Sequence, residues 1–506
     1  MIQKLFITLF LSLIFQLGIA QAITGKVIDS KSGESIPYAN IQINAEENLL
    51  TNAEGYFTVP EKYSGDDAII TVSYLGYVGV RMTLGELRSK QLTVKLEEGV
   101  FALDTVSVSK ANRNPDSIMA AVKRNLSRNY KQFTQPARKT LFYRETNVFK
   151  PAKLDVEITK STGFKKDGLK SVNTQLNAFT SNIVSHPPQQ FTDMLANYYT
   201  ATKTVDNKVV VVPKFNVVKA TKLKDEKRSA SVEEMQKNAM DILLQHLDTT
   251  KYYRIKSGLF GSRDTVSLRK DFKKKSTKAK KSTLTLAKTD VMTFMSQNSF
   301  LQSTKLDFVN HPELYEYVYD GAVFSTTNDF IYVLKFKPKK SKAKYTGTLF
   351  ISETDYAIVR ADYTLEEGKT LGGLNLKFLL GIKASENVSK GTVIFKQRPG
   401  EGEGYYMQYA SMESGQYIYV NRPLKFIELA DKEKDVVAFD LKLEANMLDK
   451  QEFLNMSQSE ITEAEYDKAK EEEFDYIRLK SYDPKIWKDY SAIEPLEEMK
   501  QFKVVE

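Results

Sequence analysis

Residues 330–365 read FIYVLKFKPKKSKAKYTGTLFISETDYAIVRADYTL, and their alternation decides the fold class. Phe330, Tyr332, Leu334 and Phe336 recur at every second position. Tyr345, Gly347, Leu349 and Ile351 do the same, then a turn at Glu353–Asp355 leads back through Val359, Ala361, Tyr363 and Leu365. A period of two places such side chains on one face of an antiparallel sheet and their polar neighbours on the other. Tyr315, Tyr317 and Tyr319 continue the pattern upstream. Downstream, Leu374, Leu376, Phe378, Leu380 and Ile382 predict one more strand, and Val437, Phe439, Leu441 and Leu443 another. Strands joined by short turns form a meander, and sheet twist makes it curl. The sequence therefore predicts a curved antiparallel sheet over 311–445.

On the C-terminal side, 446–506 reads as a helical tail. Its start is acidic at Glu463, Glu465 and Glu471–Glu473, and Ile493, Leu496, Met499 and Phe502 give its end an apolar face that docks on the body. On the N-terminal side, 110–310 reads as a mixed α/β region. Asn114 is an N-cap, Pro115 fits the first helical position, and Asp116 complements the helix dipole. Ile118, Val122, Leu126 and Tyr130 then form the buried stripe of a helix. Ser231 with Glu234 makes a capping box before the helical face Val232, Met235, Ala239, Ile242 and Leu243. Phe191, Leu195 and Tyr198 predict a short helix, and Val209–Val212 a buried strand.

Residues 23–98 are short strands separated by turn signals, the pattern of a β-sandwich. Ile23–Asp29 is the first strand, Ser30–Gly33 turns it, and Thr51–Gly55 turns into Tyr56–Val59. Residues 1–22, MIQKLFITLFLSLIFQLGIAQA, have a positive start at Lys4, an apolar run and an Ala20-Gln21-Ala22 cleavage site. These are the parts of a secretory signal peptide. The fold class expected is mainly β with α (α+β): an N-terminal sandwich, then a larger domain with a curved meander, then a helical tail.

The order GKVID, SGESIPYANI, TNAEGYFTV and VSYLGY resembles the carboxypeptidase regulatory-like domain. That resemblance implies a transthyretin-like sandwich, which in carboxypeptidases is an accessory module rather than the catalytic one. Gly33 and Gly55 then read as turn glycines, and Tyr74 and Tyr77 as packing residues. The strand LDTVSVSK, Asn114-Pro115-Asp116, FYRE at Phe142–Glu145 and the ending Tyr482-Asp483-Pro484, Trp487–Tyr490 and Glu494-Pro495 are similar to a family of Gram-negative envelope proteins that begin with this module. The resemblance implies a periplasmic or outer-membrane-associated location.

The chain has no cysteine, which removes thiolate catalysis and Cys-ligated zinc. Its three histidines, His186, His246 and His311, form no H-E-x-x-H helix. Gly368-Lys369-Thr370 lacks the earlier glycine of a P-loop, because Tyr363 stands there. No catalytic, cofactor-binding or metal-ligating residue is assigned. The net charge of +9 is concentrated at Lys273–Lys281. That run is a candidate for peripheral membrane contact, and nucleic acid is not expected for an exported protein.

The expected function is non-enzymatic: an exported module that binds an envelope protein or lipid. An alternative is a carrier whose curved sheet holds an acyl chain against Phe330, Tyr332, Phe336, Leu376, Phe378 and Leu380. A second alternative is a hydrolase with a dispersed site, since carboxylate pairs and triads are set by geometry rather than spacing.

Overall fold

The computed structural model describes residues 23–44, 46–99, 114–131, 134–162, 166–206, 208–224, 252–257, 260–267, 282–324, 329–398, 404–429, 436–490 and 493–504. The segment read as a signal peptide, the strand LDTVSVSK, the Ser231–Leu243 helix, His246 and Lys273–Lys281 lie outside them. The protein is mainly β with helices, the α+β class expected. It divides into two units. One comprises Met1–Val100 with Asp483–Glu497, the other Phe101–Tyr482 with Glu498–Glu506.

The first unit holds β1 (Ile23–Asp29), β2 (Asn40–Ile43), β3 (Glu47–Leu50), β4 (Tyr56–Val59), β5 (Ile69–Ser73), β6 (Val80–Thr83) and β7 (Thr93–Leu96). They form two sheets, β4-β1-β7 and β3-β2-β5-β6. Val27, Phe57, Val59, Val94 and Leu96 from one sheet meet Ile41, Ile43, Ile70 and Val72 from the other in one core. The helix Leu84–Ser89 closes that core with Leu84 and Leu87, and a Thr83–Glu86 capping box starts it. The Ser30–Gly33 turn is held by Asp29, whose carboxylate accepts from the Lys31 and Ser32 amides at 2.9 and 2.6 Å. Tyr74 and Tyr77 pack edge to face, 5.6 Å apart, against the core.

The segment Asp483–Glu497 completes this unit. The Glu61 amide donates to the Lys488 carbonyl at 3.0 Å, and the Lys488 ammonium meets the Glu61 carboxylate at 2.7 Å. Asn52 donates to the Pro495 carbonyl at 3.3 Å, and the Thr58 hydroxyl donates to buried Glu494.

The second unit is built on β8 (Ala137–Ser161), β9 (Gln189–Val205), β10 (Lys208–Lys224), β11 (Tyr252–Ser257), β12 (Phe260–Ser267), β13 (Tyr315–Phe324), β14 (Phe330–Pro338), β15 (Tyr345–Ser352), β16 (Ile358–Leu365), β17 (Gly372–Leu376), β18 (Ile382–Gln397), β19 (Tyr405–Glu428), β20 (Val436–Glu460) and β21 (Ile477–Leu479). Among the described residues they make one sheet in the order β13-β14-β15-β16-β18-β19-β20-β8-β9-β10-β21, with β17 on β18 and β11 joining β12 and β19. Strands from the mixed region and from the meander thus share a single sheet.

The helix Pro115–Asn129 forms as its sequence predicts. The Asn114 side chain accepts from the Asp116 and Ser117 amides, and Ile118, Val122 and Leu126 are buried. With the helix Thr283–Gln297 and Phe300, Leu306 and Phe308, it covers one face of the sheet. Tyr130 fixes this cover: its hydroxyl donates to the Ile358 carbonyl at 2.8 Å and accepts from the Ile358 amide at 2.7 Å.

Three expectations are corrected. The tail 446–506 is not helical throughout: β20 runs to Glu460, and helix beyond it among the described residues is limited to the short pieces Glu463–Lys468, Pro484–Ile486 and Glu497–Lys500. Leu, Glu, Met, Lys and Gln there favour helix intrinsically, but pairing to β19 on one side and β8 on the other overrides propensity. Phe191, Leu195 and Tyr198 lie in β9, not in a helix. Met194 and Ala196 are buried as well, so β9 is covered on both faces and its apolar residues do not alternate. Val209–Val212 is a strand segment but not buried, because it starts β10 just after the turn from β9, where Val209 is 70% exposed.

Candidate binding cleft and the buried charge row

The expected apolar-ligand face does not exist as one surface. Tyr332 and Phe336 are buried in the core beneath the helices, Phe330 packs against that core, and Phe308 stacks on Phe336 at 4.6 Å. Leu376 ends β17, while Phe378 and Leu380 belong to the helical turn Lys377–Leu380. The strand predicted over Leu374–Ile382 is therefore interrupted. Gly381, at φ +66°, supplies the left-handed residue that reverses the chain.

A charged row lies where the sequence assigned no site. Arg144 on β8 is the register partner of Asp193 on β9 and of Glu452 on β20. Arg144 Nε and Nη2 donate to Asp193 Oδ1 and Oδ2 at 2.7 and 2.8 Å. Glu452 accepts from the Tyr409 hydroxyl at 3.0 Å and pairs with Lys450 at 3.1 Å. Burial alone would raise the Glu452 carboxyl, but Lys450 and Arg144 outweigh it and hold it below its usual range. The row continues through Ser411, Thr392 and Asp362, where Thr392 donates to Asp362 at 2.7 Å. The charged members each have a partner, Arg144 with Asp193, Glu452 with Tyr409 and Lys450, and Asp362 with Thr392, so the row is a register device more than a reactive site. Its sequence signal is weak, a charge directly after the apolar run Leu141-Phe142-Tyr143.

A cleft of about 200 Å³ opens on β8, β19 and β20. Asn147, Asp449 and Ser414 form one cross-strand row, and Phe149, Met447 and Gln416 another on the same face. Val148, Leu448 and Gly415 complete the lining. The Phe149–Met447 row is packed by Phe179 and Ile183 of the helix Lys166–Ser185. Farther along β8, Tyr143 is met by Phe294 of the helix Thr283–Gln297. The Asn147–Asp449–Ser414 row falls between these two covers.

Asp449 is the group the cleft perturbs most. Burial, with Glu145 adding to it, pushes its carboxyl up to about 6, while Lys305 opposes. Asp290 is raised by burial and by the same Glu145. Tyr476 is pushed up to about 12 by burial, then by Glu145 and Asp290. Asp449 Oδ1 and the Tyr143 hydroxyl have no hydrogen-bond partner among the described residues. Asp449 thus changes from hydrogen-bond donor to charged acceptor near pH 6, in a cleft walled by amides and a hydroxyl.

His186 contacts Ser185 and His311 contacts Glu313, both exposed and far apart in sequence. Among the described residues no group of three or more His, Asp or Glu is placed to hold a metal ion. No described helix is long and apolar enough to cross a membrane.

A search of curated proteins returns no match to this sequence. Among solved structures, the Pseudomonas putida toluene transporter TodX is similar at 8% identity and a TM-score of 0.10, over 66% of this chain and 93% of that one, a likeness that assigns no fold. Residues 23–108 match the family model of the CarboxypepD_reg-like domain, and the sandwich β1–β7 is that module.

Proposed function

We propose that this is an exported, non-enzymatic envelope protein that works by binding. The carboxypeptidase regulatory-like sandwich acts as its interaction module, and the large sheet is a body that carries the Asn147–Asp449 cleft. The observation behind this reading is the sandwich itself, an accessory fold rather than a catalytic one. The signal-peptide pattern of residues 1–22 supports export. The test is cross-linking of the full chain in intact cells, followed by fractionation and N-terminal sequencing. Recovery in the envelope, cleaved after Ala22 and joined to an envelope protein, is the expected result. An uncleaved chain in the cytoplasm, or no partner above background, overturns the proposal.

One observation favours a second reading as a hydrolase. Burial, with Glu145 and Asp290 nearby, raises the Asp449 carboxyl to about 6, and its Oδ1 has no hydrogen-bond partner among the described residues. Glycoside hydrolysis uses one protonated and one ionised carboxyl. Hydrolysis of a panel of aryl glycosides by the full chain, abolished by Asp449→Asn, would favour it. Turnover unaffected by that change, or none at all, retires it.

A further inference from the structure

The turn between β17 and β18 presents apolar side chains to water on a fixed support. Phe378 is 100% exposed, Leu379 75% and Leu374 51%. The Asn421 amide donates to the Gly381 carbonyl at 2.8 Å, which pins the turn to β19. A Cβ at Gly381 would lie 2.1 Å from the Asn421 carbonyl oxygen, so the close approach requires glycine. Behind the tip, Leu376, Leu380, Ile382, Ile418 and Val420 are only half-buried. Apolar surface here is a connected patch rather than a scatter of single residues.

The polar groups around the patch have a definite chemistry. Lys377 Nζ lies 4.1 Å from the Tyr419 ring centre, and Lys383 Nζ 5.4 Å from that of Tyr417. Arg422 follows on β19. The carboxylate on the Lys383–Tyr419 row, Glu444, accepts from the Tyr417 hydroxyl at 2.8 Å and sits on β20, away from the turn. Long cations over tyrosine rings behind an apolar tip match the layering of a lipid interface: acyl region, aromatic belt, anionic headgroups. The exposed apolar part is the narrow tip Leu374, Phe378 and Leu379, not the broad face of roughly 800 Å² per partner that a stable protein contact buries, which favours a lipid occupant.

We propose that Lys377–Gly381 is a membrane-docking tip. Phe378 and Leu379 enter the interface of an anionic lipid surface, and Lys377, Lys383 and Arg422 meet its headgroups. This goes beyond the interaction role above and is separable from it. A chain that captures an envelope protein yet ignores vesicles would overturn the tip and leave that role standing.

The absence of cysteine makes the test direct, because Phe378→Cys introduces the sole thiol for an environment-sensitive dye. The dye on the full chain should brighten and shift to the blue with phosphatidylcholine vesicles containing phosphatidylglycerol. A dye at Val209→Cys, also exposed, should not. Phe378→Asp with Leu379→Asp should abolish flotation while leaving the urea midpoint unchanged, since neither side chain is buried. Lys377→Glu with Lys383→Glu should weaken binding to the anionic vesicles by about tenfold or more. A silent dye at position 378, or an aspartate variant that floats like the parent, overturns the proposal.

Discussion

Arg144 and Asp193 face each other on adjacent strands and share two hydrogen bonds of 2.7 and 2.8 Å, with side chains only 3% and 1% exposed. Glu452 flanks the same arginine on the opposite side. Removing the cation strands the buried Asp193 carboxylate, while Glu452 keeps Lys450 and Tyr409, and such a loss costs about 3–5 kcal/mol. Arg144→Met should therefore lower the urea midpoint strongly at pH 7. The loss should shrink in acid, as the buried Glu452 carboxyl, which Lys450 and Arg144 hold below its usual range, takes up a proton. Replacing the whole set, with Arg144→Met, Asp193→Leu and Glu452→Met, should recover most of it. A triple variant as unstable as the single one would show that the row does more than pair its own charges.

Tyr130 satisfies both backbone groups of Ile358 with one hydroxyl. Its ring lies edge to face with Phe300 and Phe395, at 5.1 and 4.8 Å. Tyr130→Phe keeps the ring but leaves a buried amide and a buried carbonyl without that partner. The expected cost is about 2 kcal/mol, read from chemical denaturation. Faster amide exchange at Ile358 should accompany it.

Asp449 gives a pH signature. Its carboxyl is raised on folding, from a usual value near 3.8 to about 6. The folded state therefore holds the extra proton, and stability falls as pH rises between those values. The full shift corresponds to about 3 kcal/mol, and partial solvent access reduces it to about 2 kcal/mol. Asp449→Asn should be more stable than the parent above pH 6 and indistinguishable from it near pH 4. Parallel stability curves at both values would show that the group is not held protonated.

Gly55 turns at φ +81°, and a Cβ there would lie 2.8 Å from the Val27 carbonyl oxygen. Gly55→Ala should cost the sandwich about 1–3 kcal/mol. The single tryptophan, Trp487, is buried in that same unit. Its fluorescence should therefore report the shifted transition, while the circular dichroism of the large sheet changes less.

Local signals were the readable ones. Asn114-Pro115-Asp116 predicts its helix because cap, proline and dipole all act within one turn. The alternation in β14, β15 and β16 is legible because one face is buried. The strand expected over Leu374–Ile382, which carries half of the six-residue ligand face, breaks at Gly381, because alternation alone does not distinguish a reversing glycine from one inside a strand. β20 was missed because its partners, β8 and β19, are what hold it extended. Arg144, Asp193 and Glu452 meet only through register, and Asn147 and Asp449 likewise, so no spacing along the chain announces them.

The Asp483–Glu497 segment bears on how the protein is made. Thr58 and Glu494 are bonded across 436 positions of chain. Synthesis delivers the strands of the sandwich well before this piece, which follows the large sheet along the chain. Until then the Glu61 amide and the Asn52 side chain wait for Lys488 and Pro495. A nascent or prematurely stopped chain thus carries an unfinished first unit, which proteases can distinguish from a finished one. The finished sandwich is in this sense a record that synthesis has passed Glu497.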